Sequence, residues 1–332
     1  CRFYSGYPIT PQTEILEYLA KRMDEVGGTF VQTESELAGI NMLLGASAAG
    51  ARALTSSAGP GFSLNQEGIS YLVAADLPAV IINVMRIGTG LGDIAQGQGD
   101  YWQMTRGGGH GDYKLLTYAP STVQEAVDIL YYAFDKADEY RTPVCILGDG
   151  LLGQIMEPVT FPEMKEMPDP STKSWAVTGT HHGKDKTLAS SIYIDPNLGE
   201  AQNNHLVEKF ERIAQKETQC EEFMCDDAEI ILTGYGSVGR IIKSAIYMLR
   251  EKGIKAGLVR PITLMPFPTK VYEKYAAKAS VKRFLTVELS MGQFVEDVKL
   301  SVMGKKPVDL FTRCGGNIMT PEDVVEKVME VK

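Results

Sequence analysis

The chain has few cysteines, fewer basic than acidic residues and no long apolar run, and each shortage removes a class of function. Its five cysteines, Cys1, Cys145, Cys220, Cys225 and Cys314, are scattered, odd in number and without a CxxC pair. That spacing excludes a disulfide framework. An iron–sulfur cluster needs several thiolates at short spacings, and the one close pair, Cys220 and Cys225, has no second pair to meet. Lys and Arg number 33 against 42 Asp and Glu, a formal charge of −9, so nothing neutralises a run of phosphates and nucleic acid is not a partner. No stretch is long and apolar enough to span a bilayer and no charged-then-apolar leader precedes Cys1, so the chain reads as cytoplasmic and free of the membrane. It also starts without methionine, which reads as a trimmed N-terminus that has lost a strand or helix of the first domain.

With 332 residues, 44% hydrophobic and 23% charged, the chain has enough apolar surface for two ordinary cores. Short apolar runs at 50–55, 79–84 and 143–147 are bounded by turn residues, as strands buried on both faces should be. Between them lie helical patterns at 35–49 and 122–137, the second with Val123, Ala126, Val127, Leu130 and Phe134 on one face. Strand–helix alternation predicts an α/β fold whose sheets are mostly parallel with helices on both faces. Prolines at 158, 162, 168 and 170, then a polar run over 179–199, mark a connector. An amphipathic helix follows, with Leu206, Phe210, Ile213 and Ala214 sharing a face. The expected domains are therefore 1–165, a connector at 166–225, and 226–332, the last with strands at 230–232, 256–259, 284–287 and 308–311 and a helix at 239–251.

The densest signal lies in the first domain. In Tyr7-Pro8-Ile9-Thr10-Pro11 two prolines fix φ and remove two backbone donors, so the turn sets the direction of the Thr10 hydroxyl. The same residues also suit a plain helix start, with Thr10 as N-cap and Pro11 in the first turn. Glu34 and Glu36 open the next helix, where a carboxylate is favoured whether or not it has a chemical role. Ser56-Ser57-Ala58-Gly59-Pro60-Gly61 follows a strand with two glycines around a proline, a turn that lets backbone approach a flat ligand, or simply a tight strand–helix turn. Arg86 ends the most apolar strand and enters a glycine-rich loop expected to be mobile. Its planar fork suits a carboxylate at a sheet's carboxyl edge, although a strand-end arginine is commonly a surface ion-pair partner. His110, in Gly107-Gly108-Gly109-His110-Gly111-Asp112, reads alone as a solvated loop histidine.

These motifs, together with Asn83-Val84-Met85-Arg86, Arg260-Pro261-Ile262-Thr263-Leu264 and Pro266-Phe267-Pro268, make the chain resemble the α subunit of 2-oxoacid:ferredoxin oxidoreductases. The resemblance implies a thiamine diphosphate pyrimidine-binding domain followed by a transketolase C-terminal-like domain. The diphosphate-binding domain, and with it magnesium, then lies on a β subunit, and the iron–sulfur clusters lie on partner subunits. The activity implied is coenzyme A-dependent oxidative decarboxylation of a 2-oxoacid with electrons passed to ferredoxin. On this resemblance Glu36 activates the cofactor through a ring nitrogen, and Tyr7, Pro8, Ile9, Ser57, Gly59, Pro60 and Gly61 contact it. Arg86 binds the substrate carboxylate, Thr10 approaches the reacting carbon or the substrate oxygen, and His110 lines the same mouth. The runs around Met85-Arg86 and 105–112 are most like the 2-oxoisovalerate type. The 2-oxoglutarate type usually carries Gly-Gly-Pro-Ser-Thr-Gly where this chain has Ile87-Gly88-Thr89-Gly90, and 2-oxoglutarate and pyruvate remain the alternatives.

Two further motifs imitate other chemistries. Gly234-Tyr235-Gly236-Ser237-Val238-Gly239 is a literal GxGxxG between strand and helix, but the next strand ends in Arg260-Pro261 where a dinucleotide site needs an acid, so an NAD-linked dehydrogenase is the weaker reading. Gly148-Asp149-Gly150 copies the start of a magnesium motif. Its first downstream asparagine, Asn197, lies beyond the connector, so no metal is expected on this chain.

Overall fold

The computed structural model describes residues 1–179 and 186–331. In chain order the first part builds β1 (Phe3–Gly6), α1 (Thr13–Arg22), β2 (Thr29–Gln32), α2 (Glu36–Ala48), β3 (Ala53–Ser57), α3 (Gly59–Ala74), β4 (Ala79–Ile87), β5 (Asp93–Gln96), α4 (Tyr101–Thr105), β6 (Leu116–Tyr118), α5 (Val123–Tyr140), β7 (Pro143–Asp149) and α6 (Gly150–Gln154). The second part builds α7 (Pro196–Glu217), β8 (Cys220–Phe223), β9 (Ile230–Thr233), α8 (Val238–Glu251), β10 (Ala256–Pro261), β11 (Thr263–Met265), α9 (Thr269–Ala277), β12 (Arg283–Glu288), α10 (Phe294–Val302), β13 (Val308–Thr312) and α11 (Pro321–Val331). Six strands pair in parallel in the order β6-β7-β4-β3-β1-β2, with β11 and β5 added antiparallel to β6 and β4. The second sheet runs β13-β12-β9-β10-β8, parallel except for β8. Strands β3, β9 and β10 are buried along their whole length, polar residues Thr55, Ser56, Ser57 and Arg260 included.

Three expectations are corrected. The second sheet begins at β8, ahead of residue 226, and Glu221 on it forms an ion pair at 2.7 Å with Arg260 opposite on β10. The segment after β10 returns to the first sheet as β11, so the domains share a strand. On α7 the buried face contains Leu206, Lys209, Ile213 and Glu217, whereas Ala214 is exposed. The two charged residues can be buried because each is paired: Lys209 with Asp76 and the Arg141 carbonyl, Glu217 with Tyr140 at 2.6 Å and Lys136 at 2.9 Å. Within the polar run expected over 179–199, residues 180–185 lie outside the described residues and α7 already begins at Pro196.

One continuous core runs between the two sheets. At its centre Tyr101, Tyr235 and Phe294 pack with ring centroids 5.2 to 5.7 Å apart. Beside this cluster the two imitation motifs meet each other. Asp149 Oδ2 accepts hydrogen bonds from the Ser237 amide at 3.0 Å and the Ser237 hydroxyl at 2.8 Å. A Cβ on Gly236, whose φ is +57°, would lie 2.8 Å from that oxygen. The glycine turn therefore holds a carboxylate of the first domain where a dinucleotide fold holds phosphate. Replacing Asp149 by Ala strands the buried Ser237 amide and should destabilise the chain by about 1–3 kcal/mol. Urea denaturation measures this, and an unchanged midpoint would count against the interlock.

Candidate active site

The strand order 2-1-3-4 puts the topological switch point between β1 and β3, where crevices open at the carboxyl ends of strands. Tyr7 to Pro11 leave β1 there, Ser57 to Gly61 leave β3, and Arg86 lies near the end of β4. The turn after β1 is not a helix cap: α1 begins at Thr13 behind Gln12, and Thr10 is exposed. Gln12 holds the turn, its Nε2 donating to the Tyr7 carbonyl at 3.1 Å and its Oε1 accepting from Ser56 at 2.6 Å. Tyr7 is exposed, and Pro8 and Ile9 are half-buried.

Glu36 and Glu34 separate cleanly. Ser35 caps α2 by accepting from the Ala38 amide at 3.2 Å, which makes Glu36 the first helical residue and turns it inward, while Glu34 points to solvent. Glu36 is 8% exposed, and no described residue donates a hydrogen bond to its carboxylate. Its Oε1 lies so close to α3 that a Cβ on Gly61 would be 2.3 Å from it and 2.7 Å from Ser57 Oγ. Ser57 Oγ is itself buried without a partner. A buried acid and a buried hydroxyl, both without protein partners and given room by a glycine, have the chemistry of the polar edge of an aminopyrimidine.

Arg86 is buried, not paired at the surface. Its Nη1 donates to the Thr10 carbonyl at 3.0 Å and its Nη2 to the Leu91 carbonyl at 2.7 Å, while Nε has no partner. The guanidinium thus links two loops with N–H groups to spare. The glycine-rich run after it is not a free loop but the turn of a hairpin, with Arg86 opposite Gln96 and Ile87 opposite Asp93. Gly59, with φ +47°, packs on Arg86: a Cβ there would lie 2.9 Å from Nε. His110 is exposed on a loop packed on α3 near Gln66 and Ser70, and is not among the residues lining the adjoining cavity.

That cavity, of about 410 Å³, is walled by Pro60, Ile87, Leu91, Asp100, Trp102 and Gln293 among others, with no Lys, Arg or His in its lining. Asp100 carried no recognisable motif in the sequence. Its Oδ2 accepts from the Gly59 amide at 3.1 Å, a bond across 41 residues of chain that no local pattern could reveal. Burial pushes its carboxyl up to about 6, against the downward pull of that amide and of Arg86. A raised carboxyl favours the folded state below about pH 4, and that advantage is lost as pH rises through about 6. Relative to wild type, Asp100→Asn should therefore gain stability between pH 4 and 7. Denaturation midpoints across that range check this, and a pH-independent difference would contradict it.

The chain belongs to the pyruvate:ferredoxin oxidoreductase family of 2-oxoacid oxidoreductases. Residues 1–221 match the domain described as pyruvate flavodoxin/ferredoxin oxidoreductase, thiamine diphosphate-binding, and residues 228–324 match pyruvate:ferredoxin oxidoreductase core domain II. Ketoisovalerate oxidoreductase subunit VorB of Methanothermobacter thermautotrophicus is 48% identical over 331 residues, covering 100% of this chain and 93% of the relative. The 2-oxoglutarate synthase subunit KorA of the same organism is 32% identical, covering 100% and 94%. Among solved structures, the 2-oxoglutarate:ferredoxin oxidoreductase from Magnetococcus marinus, with 2-oxoglutarate, coenzyme A and succinyl-CoA bound, superposes with a TM-score of 0.85 at 25% identity. That match covers 99% of this chain, which spans 62% of the solved one. Among the described residues no helix is long and apolar enough to cross a membrane, and no three metal-ligating side chains cluster.

Proposed function

We propose that this chain is the α subunit of a 2-oxoacid:ferredoxin oxidoreductase that converts a 2-oxoacid, best 2-oxoisovalerate, and coenzyme A to acyl-CoA and carbon dioxide. The two electrons released pass to ferredoxin. Thiamine diphosphate lies between this chain and a β subunit that carries the diphosphate-binding domain and magnesium, and iron–sulfur clusters on partner subunits take the electrons. When bound, the cofactor supplies the nucleophilic carbon and the electron sink. The single observation that carries the reading is the Glu36 carboxylate, buried and without a protein partner against Gly61 and Ser57.

Each residue then has a physical task. Glu36 exchanges a proton with the ring nitrogen opposite the amino group, and its burial keeps water from competing for that bond. Ser57, Gly59, Pro60 and Gly61 give the ring a flat backbone surface, and the turn from Tyr7 to Ile9 forms the other side. The guanidinium of Arg86 uses its remaining N–H groups for the 2-oxoacid carboxylate, with Thr10 beside it. Two observations favour an aliphatic substrate over a dicarboxylate: the walls of the adjoining cavity contain Ile87, Leu91 and Trp102 and no cation, and identity is higher to the ketoisovalerate subunits than to the 2-oxoglutarate subunits.

In the complex co-expressed with its partner subunits, dye reduction by 2-oxoisovalerate with coenzyme A should exceed that by 2-oxoglutarate or pyruvate. Glu36→Gln should lower it at least about a hundredfold while assembly is unchanged. Full activity in an assembled Glu36→Gln complex would end this reading.

A further inference from the structure

We propose that Gln293, in the C-terminal domain, is a positioning residue for the 2-oxoacid site of the N-terminal domain. The inference rests on the reading of Arg86 as the substrate anchor. Gln293 makes two hydrogen bonds with one planar amide: Nε2 donates to the Gly99 carbonyl at 2.8 Å, and Oε1 accepts from the Trp102 amide at 2.9 Å. The two bonds bracket Asp100. That carboxylate in turn holds the Gly59 amide at 3.1 Å, and Gly59 packs on the Arg86 guanidinium. Gly99 packs on the backbone of Arg86 as well, since a Cβ there would lie 2.9 Å from the Arg86 carbonyl oxygen.

The clamp is itself fixed from the C-terminal side. Glu288, fully buried, accepts from the Gln293 amide at 3.0 Å and from the first amides of α10. Gln98 ties the same segment to the Tyr235 carbonyl at 3.0 Å and to both backbone groups of Leu289. A continuous set of contacts thus runs from α10 through Gln293 and Asp100 to Gly59 and Arg86. Only a side chain with a donor and an acceptor at this length makes both bonds: glutamate loses the donor, leucine loses both, and asparagine is one methylene short. The path ends on the Arg86 guanidinium and makes no hydrogen bond to Glu36, so the effect should fall first on 2-oxoacid binding.

The test uses the assembled complex with Gln293→Leu, Gln293→Glu, Asp100→Asn and the Gln293→Leu, Asp100→Asn double variant. Gln293→Leu should raise KM for 2-oxoisovalerate about tenfold, leave KM for coenzyme A within about twofold, and speed amide exchange in the peptide containing Gly59. Gln293→Glu, which keeps the acceptor for Trp102, should recover part of the loss and carries the test if the leucine variant does not assemble. The double variant should be no worse than the weaker of its two parents, because both act along one path. Unchanged KM for 2-oxoisovalerate, equal rises in both KM values, or multiplying effects would overturn the proposal. If the wild-type complex oxidises no 2-oxoacid, the functional reading fails instead. Amide exchange at Gly59 then decides the clamp alone: faster in Gln293→Leu upholds it, unchanged overturns it.

Discussion

A largely buried carboxylate that no described residue satisfies is the constraint on which the rest of this structure depends. Burying a polar group without a partner is costly, and a ligand or a favourable field at Glu36 offsets that cost. The first turn of α2 supplies some of that field, worth roughly 0.3–1 kcal/mol at a helix N-terminus. The remaining requirement shapes its surroundings. Residue 61 must be glycine for the oxygen to fit, and α2 must sit hard against the end of β1, where the Ser5 hydroxyl donates to the Gly39 carbonyl at 2.7 Å.

The second constraint is that the site edge belongs to two domains. Residues 98–102 come from the first domain in sequence, yet their backbone is held by Tyr235, Leu289 and Gln293 of the second. Asp149 locks the other side of the same interface through Ser237. The shared aromatic core between the sheets gives these polar contacts a water-poor setting, in which each bond is stronger and each loss more damaging.

Much of this was legible from the chain because the informative residues act locally. The Tyr7 to Pro11 turn, the Gly59-Pro60-Gly61 turn and Arg86 each sit at a strand end with a recognisable neighbour pattern, and the structure brings all three to one edge beside Glu36. The strand at 50–55 was displaced by a few residues because Gly50, with φ +93°, belongs to the preceding turn and the strand continues to Ser57. Asp100 and Gln293 were not legible, since their bonds span 41 and 194 residues and leave no period or motif. His110 is a conspicuous glycine-flanked residue that the fold leaves exposed and outside the cavity lining. The GxGxxG turn and the GDG run each read as an isolated motif in the sequence, and that each answers the other could only emerge in three dimensions.

The most direct measurement is an experimental structure of the assembled complex with thiamine diphosphate bound. The account predicts a Glu36 carboxylate oxygen at about 2.6–3.0 Å from the pyrimidine ring nitrogen opposite the amino group, with Ser57 and Gly61 along the same ring edge. A ring bound elsewhere, or one whose nitrogen meets water or a different acid while Glu36 stays unpaired, would contradict it.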